Sequence, residues 1–224
     1  MKIEKTNYEG LFQGYLGNRK ILLTKNLTPG LAFFDEKLIK EENIEYRELN
    51  PSRSKFAAAA IKRISFDPIK EGSKILYLGA SHGYTPSFLS DIVKNSGVIF
   101  CLDFAQRVVR DLLFICEKRE NMIPILADAK KPETYKNRIE TVDVIYQDVA
   151  QKNQVEILFK NLQFLSNKGY ILIAIKARSI DSTRHPSKIF REVEDMLKEK
   201  LKIIDKKELA PFEKDHIFFV CQKR

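Results

Sequence analysis

The sequence predicts an α/β protein: a mostly parallel sheet that ends in an antiparallel hairpin, with a small antiparallel β region ahead of it. Three observations predict this. From Lys74 onward, apolar runs alternate with amphipathic stretches, the rhythm of right-handed crossovers between parallel strands. The last two runs, "LKIIDKKEL" and "DHIFFVCQK", follow one another with no helix between them, so one strand must oppose its neighbours. Before residue 55 the chain carries short runs in which apolar and polar residues alternate. The expected division is therefore a small antiparallel β domain over 1–54 and an α/β domain over 55–224.

The elements follow in order. "GLFQGY" and "KILLTK" flank Leu16-Gly17-Asn18, a hairpin signal. "GLAFFDEKLIKEENIEYREL" supplies two further short runs around Asp35-Glu36. "SKFAAAAIKRI" favours a helix, which Asp67-Pro68 should end. "KILYLGA" opens the parallel region, and Thr85-Pro86 offers an N-cap with Pro at the first helical position. Then come strand "GVIFCLD", helix "AQRVVRDLLFICEKR", strand "MIPILAD" and a short helix around "PETYKNRI". They are followed by strand "VDVIYQD", helix "NQVEILFKNLQFL", strand "GYILIAIKA" and helix "HPSKIFREVEDMLKEK". The closing hairpin brings the strands of this region to seven.

Composition narrows the class. The chain has 224 residues, 44% of them hydrophobic, which suffices for a sizeable core. No run approaches the ~20 apolar residues of a membrane span, and "MKIEKTNYEG" has no apolar signal core. Cys101, Cys116 and Cys221 are scattered without ligand spacing, which argues against a metal site and a disulfide framework. A reducing, cytoplasmic protein is expected. The net charge of +9 suits a polyanionic partner such as nucleic acid.

Ligands of open α/β sheets bind beyond the carboxyl ends of the strands. After the first strand comes "GASHGYT", whose glycines permit a tight turn and close approach to a ligand; a plain strand-to-helix turn is the alternative. Asp103, about 20 residues on, can accept both hydroxyls of a ribose, or serve as a helix cap. Asp128 can accept from an adenine amino group, or cap its loop. Asp148 ends the fourth strand and Lys176 the fifth. The Lys176 stem leaves an almost wholly apolar run, which makes it a candidate proton acceptor or a snorkelling edge lysine. His216 opens the last strand, next to Lys176 if the hairpin folds as expected.

Seven stretches carry a family resemblance: "RELNPSRSKFAAAA", "YLGASHGYTPSFLSDIV", "FAQRVVRDLL", "DAKKPETY", "YQDVAQ", "IKARSIDST" and "PFEKDH". In this order they resemble fibrillarin, the guide-RNA-dependent ribose 2′-O-methyltransferase, in its short archaeal form. The resemblance implies a Rossmann-like, S-adenosylmethionine-dependent methyltransferase sheet of seven strands. It implies S-adenosyl-L-methionine as cofactor, with contacts at Gly79, Ala80, Tyr84, Thr85, Asp103, Phe104, Asp128, Ala129, Asp148, Val149, Ala150 and Gln151. It implies an active centre of Lys55, Asp148, Lys176 and His216. It also implies three partners: a box C/D guide RNA with its substrate RNA, a Nop-family scaffold protein and a kink-turn-binding ribosomal-type protein. Two departures stand out. Ser81-His82 and Tyr84 replace the usual Ala-Ser and Thr of the glycine loop, and Asp103 stands where the family usually has Glu. Competing functions are a stand-alone methyltransferase and an idle RNA scaffold; a nicotinamide dehydrogenase is disfavoured by the terminal hairpin and the incomplete G-x-G-x-x-G.

Overall fold

The computed structural model describes residues 2–65 and 67–224. The N-terminal sheet contains β1 (Glu4–Lys5), β2 (Leu11–Leu16), β3 (Arg19–Lys25), β4 (Leu38–Glu41) and β5 (Ile44–Leu49). Its order is β1-β2-β3-β5-β4 and every pairing is antiparallel. The β2–β3 hairpin turns on Gly17-Asn18, as its sequence predicts. The run before Asp35-Glu36 is not a strand. Both strands lie after it and turn at Glu42, which takes φ 53°. The cause is Glu36, whose carboxylate accepts the N–H groups of Phe33 (3.1 Å) and Phe34 (2.9 Å). Those donors are lost to any strand ladder.

Helix α1 (Lys55–Ile61) links the sheets, and the Ser54 hydroxyl oxygen caps it by accepting the Ala57 N–H. Its four alanines are buried, and their small side chains let it lie close to both sheets. The helix stops at Ile61, well short of Asp67-Pro68. Arg63 adopts φ 58° and the Ile64 N–H bonds back to the Ala59 carbonyl, a left-handed C-terminal closure that needs no proline.

The larger sheet contains β6 (Lys74–Leu78), β7 (Val98–Asp103), β8 (Met122–Leu126), β9 (Val142–Gln147), β10 (Leu165–Lys176), β11 (Leu201–Glu208) and β12 (His216–Lys223). Its order is β11-β12-β10-β9-β6-β7-β8, with β12 antiparallel to both neighbours and the β8–β7–β6–β9–β10 run parallel. The chain moves outward from β6 through β7 and β8, then returns to β9 on the other flank of β6. Ligands bind at that reversal.

The connecting helices are α2 (Tyr84–Val93), α3 (Gln106–Cys116), α4 (Gln154–Asn161), α5 (Ala177–Ile180) and α6 (Pro186–Lys198). Helix α2 starts two residues earlier than its Thr85-Pro86 signal suggests. Gly83, at φ 89°, is its N-cap, and the Thr85 hydroxyl donates to Ser54 instead. Pro86 still falls in the first turn, where an amide hydrogen has no helical acceptor. The segment "PETYKNRI" forms two 3₁₀ turns, Pro132–Thr134 and Lys136–Arg138, rather than one helix.

Alternation along the central strands sorts the core into two faces. Ile75, Tyr77, Ile99, Cys101, Val144 and Tyr146 face α1, α2 and Leu11, Leu22 and Leu49 of the N-terminal sheet. Leu76, Leu78, Phe100, Leu102 and Ile145 face α4 and α6. A buried ionic cluster adds to the first face. Arg47 of β5 donates to Asp91 of α2 at 2.9 Å, and Arg119 donates to the same carboxylate at 2.6 Å. All three side chains are fully buried. Among the described residues no helix is long and apolar enough to cross a membrane.

Candidate active site

Five strand ends meet at the reversal point. The loop after β6 begins at Gly79, which takes φ +85°. A Cβ there would stand 2.3 Å from the Asp148 carbonyl oxygen, so only glycine lets β6 and β9 close together at their tips. The Gly79 and Ala80 N–H groups both donate to Leu102 O, at 2.9 and 3.0 Å. Asp103 completes the loop: its Oδ2 accepts the Ser81 N–H and its Oδ1 the Ala105 N–H, at 2.9 and 3.0 Å. It thus serves the turn and the entry to α3 together, and each oxygen keeps a lone pair for a further donor.

A cleft of about 730 Å³ opens beside this loop, lined in part by Gly79, Ala80, Tyr84, Thr85, Lys55 and Asp148. The remaining sequence-predicted cofactor residues stand outside it, on the adjoining strand ends. Phe104 follows β7 and is 65% exposed. Asp128 follows β8, where its Oδ1 accepts the Lys130 N–H at 2.9 Å, so it does cap its loop. Ala129 is buried. Past Asp148, Val149 is buried and Ala150 exposed, while Gln151 has a buried Oε1 with no hydrogen-bond partner among the described residues.

Lys55 is the first residue of α1, and its ammonium lies 2.9 Å from Asp148 Oδ2 and 3.9 Å from Glu213 Oε1. Burial by itself pushes the Lys55 pKa down. The Asp148 charge, its hydrogen bond and Glu213 together outweigh burial, and the net direction is up. Lys55 is therefore a fixed cation at neutral pH.

Lys176 and His216 are directly opposed in the β10–β12 ladder. Gln154 of α4 clamps the Lys176 backbone, accepting its N–H at 3.0 Å and donating to its carbonyl at 3.1 Å. The Lys176 side chain is exposed rather than desolvated, because the apolar run of β10 ends one residue earlier, at Ile175. Among the described residues no carboxylate pairs with it, since Asp148 is engaged by Lys55. His216 is buried, and its Nδ1 lies 2.7 Å from the Lys214 carbonyl. A carbonyl only accepts, so Nδ1 carries the proton and the neutral ring keeps its lone pair on Nε2. Burial lowers the His216 pKa and the Lys55 charge adds to this, against the Lys214 carbonyl, Glu213 and Asp148; the ring is neutral at pH 7.

Four contributing residues escaped the sequence reading. Glu213 lies three residues before His216 and faces both Lys55 and His216, the latter at 3.8 Å. Tyr77 and Tyr146, opposed on β6 and β9, stack at 4.4 Å beneath the cleft. Gln154 had no local signal. His82 lines the same cleft on its α3 side, its Nδ1 3.0 Å from Asp111 of α3.

A parallel sheet with an antiparallel final pair and a ligand cleft at its reversal point is the S-adenosylmethionine-dependent methyltransferase fold. Within that class the chain belongs to the fibrillarin family, whose model matches residues 2–224. It is 50% identical over 219 residues to the fibrillarin-like rRNA/tRNA 2′-O-methyltransferase of Methanocaldococcus jannaschii, covering 96% of this chain and 95% of the relative. It is similar to the crystal structure of Aeropyrum pernix fibrillarin with natively bound S-adenosyl-L-methionine: TM-score 0.92, 41% identity, 99% and 98% of the two chains covered. It is also similar to the fibrillarin of a fibrillarin/Nop5p complex: TM-score 0.86, 38% identity, 96% and 98% covered.

Proposed function

We propose that this chain methylates ribose 2′-hydroxyls of rRNA and tRNA from S-adenosyl-L-methionine, as the catalytic subunit of a box C/D ribonucleoprotein in the cytoplasm. A guide RNA selects the nucleotide, a Nop-family scaffold holds the subunit, and a kink-turn-binding protein organises the RNA. The observation that carries this reading is the convergence of Lys55, Asp148 and His216, with Lys176 opposite His216, at the strand ends that also form the glycine loop. Relatives named as rRNA/tRNA 2′-O-methyltransferases and the net charge of +9 support an RNA substrate. The solved complex with Nop5p supports the scaffold. We take 1–54 as an accessory β domain and 55–224 as the methyltransferase domain.

The residues present fit the cofactor. Gly79 lets the β6 and β9 tips close together beside the cleft, Asp103 keeps two acceptors suited to ribose hydroxyls, and Gln151 Oε1, which has no partner among the described residues, suits a donor such as an adenine amino group. We assign the nucleoside to Asp103, Phe104, Asp128, Ala129, Val149, Ala150 and Gln151, and the remainder to Gly79, Ala80, Tyr84, Thr85 and Asp148. Bound there, the cofactor supplies an electrophilic methyl group on a sulfonium.

The protein positions the acceptor and removes its proton. Lys55 holds Asp148 by one oxygen, which leaves Oδ1 to accept the 2′-hydroxyl hydrogen and aim the oxygen. Lys176, after its ammonium releases a proton to solvent, takes the hydroxyl proton on its freed amine lone pair or relays it toward solvent. Lys55, itself within reach of Glu213, fixes the direction of the carboxylate, and neutral His216 lies beside Glu213. The test is methyl transfer by the assembled particle with Lys176→Ala and Asp148→Ala. Each is expected to lose at least about a hundredfold in rate while still binding cofactor. Near-normal methylation by the folded variants would reject these assignments, and methylation without guide RNA would reject the guided reading.

A further inference from the structure

We infer that the N-terminal segment 32–36 forms part of the cofactor site, and that the Glu36–Arg47 ion pair is the positioning element that holds it in place. The inference rests on the reading that the cleft takes S-adenosyl-L-methionine.

Ala32, Phe33, Phe34 and Arg53 line the same cleft as Gly79, Tyr84 and Asp148, so one wall comes from the N-terminal half of the chain. That wall is not part of any strand. Its backbone is held by the Glu36 carboxylate, fully buried, which accepts the Phe33 and Phe34 N–H groups. Glu36 Oε1 also accepts from Arg47 Nε at 3.0 Å and Nη2 at 2.7 Å. The same guanidinium donates to the Ser87 carbonyl at 3.1 Å, to Ser87 Oγ at 3.0 Å and to Asp91 at 2.9 Å. Arg47 therefore ties the wall to α2, the helix that starts at the glycine loop. The rings repeat the connection. Arg47 lies over Phe33 at 5.3 Å and over Phe88 of α2 at 4.1 Å, and Phe34 packs edge-on to Tyr84 at 5.1 Å.

The chemistry of this wall matches a nucleoside with an amino-acid tail. Arg53 is ion-paired with Asp35 of the same wall and lies 4.3 Å over the Tyr84 ring beside Phe34, and the guanidinium donors that Asp35 does not take can meet a carboxylate. The parts of the Phe34 and Tyr84 rings that Arg53 does not cover favour a sulfonium cation. Neutralising Glu36 removes the carboxylate that, among the described residues, holds both wall amides and Arg47, and leaves the buried guanidinium with Ser87 and with an Asp91 carboxylate that it shares with Arg119.

The experiment is calorimetric binding of S-adenosyl-L-methionine to the full chain with Glu36→Gln, Glu36→Asp and Phe34→Ala. Glu36→Gln and Phe34→Ala are expected to weaken binding by about tenfold or more, and Glu36→Asp to recover part of it. In the assembled particle the lost rate returns when cofactor concentration is raised, and the KM for substrate RNA holds. If Glu36→Gln does not fold, Phe34→Ala decides, because it leaves the ion network intact. Wild-type affinity in both variants, a fall in thermal stability alone, or a change confined to the KM for RNA overturns the inference. Failure of the wild-type chain to bind the cofactor instead overturns the reading of the cleft.

Discussion

Asp148 shows how much one residue carries here. Its N–H bonds to the Leu78 carbonyl at 2.9 Å, its own carbonyl presses on Gly79, and its carboxylate pairs with Lys55. Asp67 shows what a buried carboxyl does without such partners. Its Oδ1 accepts the Ile69 N–H, but its Oδ2 is buried with no hydrogen-bond partner among the described residues. Burial, with the Glu9 charge adding to it, pushes the Asp67 pKa from the ordinary 3.8 up to about 7. The folded chain thus binds more protons than the unfolded chain between these values. This contribution to stability is present at low pH and falls as pH rises from about 4 to about 7, by at most about 4 kcal/mol. His216 acts in the opposite sense, since its depressed pKa removes stability as pH falls below the ordinary 6.5. Urea denaturation at pH 5 and pH 8 separates the two. Asp67→Asn should gain stability over wild type at pH 8 and little at pH 5; equal gains at both would refute the assignment.

At the scale of elements, the contact between β6 and β9 makes the sharpest prediction. Gly79→Ala meets backbone on the far side, which no rotamer relieves. It should cost about 3 kcal/mol from left-handed strain and overpacking together, and abolish cofactor binding in calorimetry. Gly17→Ala is the comparison: φ is also positive, but nothing lies within 4 Å, so about 1 kcal/mol is expected. Equal losses at the two sites would show that strain, not the close approach, governs Gly79. The sequence made the larger sheet legible because its buried strands are continuous apolar runs. Ladder neighbours could be placed as well: Lys176 opposite His216 follows from the terminal hairpin. What stayed hidden depended on side chains that redirect backbone. Glu36 takes two amides and cancels an apparent strand, and Arg63 in a left-handed conformation stops α1 early. The exposure of Lys176 was hidden too, since an apolar run does not tell which residue emerges first. The short β1 and α5 leave no periodic signal.

For the whole molecule, the two sheets share a core. Leu11, Leu22 and Leu49 pack in the same cluster as Phe88, Ile92 and Tyr77, and Arg47 enters α2 from β5. We expect residues 55–224 produced alone to lose cooperative folding, read by near-UV circular dichroism and thermal melting. A sharp transition within a few degrees of the full chain would show instead that the larger sheet needs no such support. The ionic cluster has one further consequence. Glu36 and Asp91 face Arg47 and Arg119, so two dehydrated anions balance two dehydrated cations. Stripping water from ions becomes less unfavourable on heating. The seam between the sheets is thus the part of the interior that gains, relative to its apolar surroundings, as temperature climbs, and warmth should loosen the rest of the fold before it loosens the wall of the cleft.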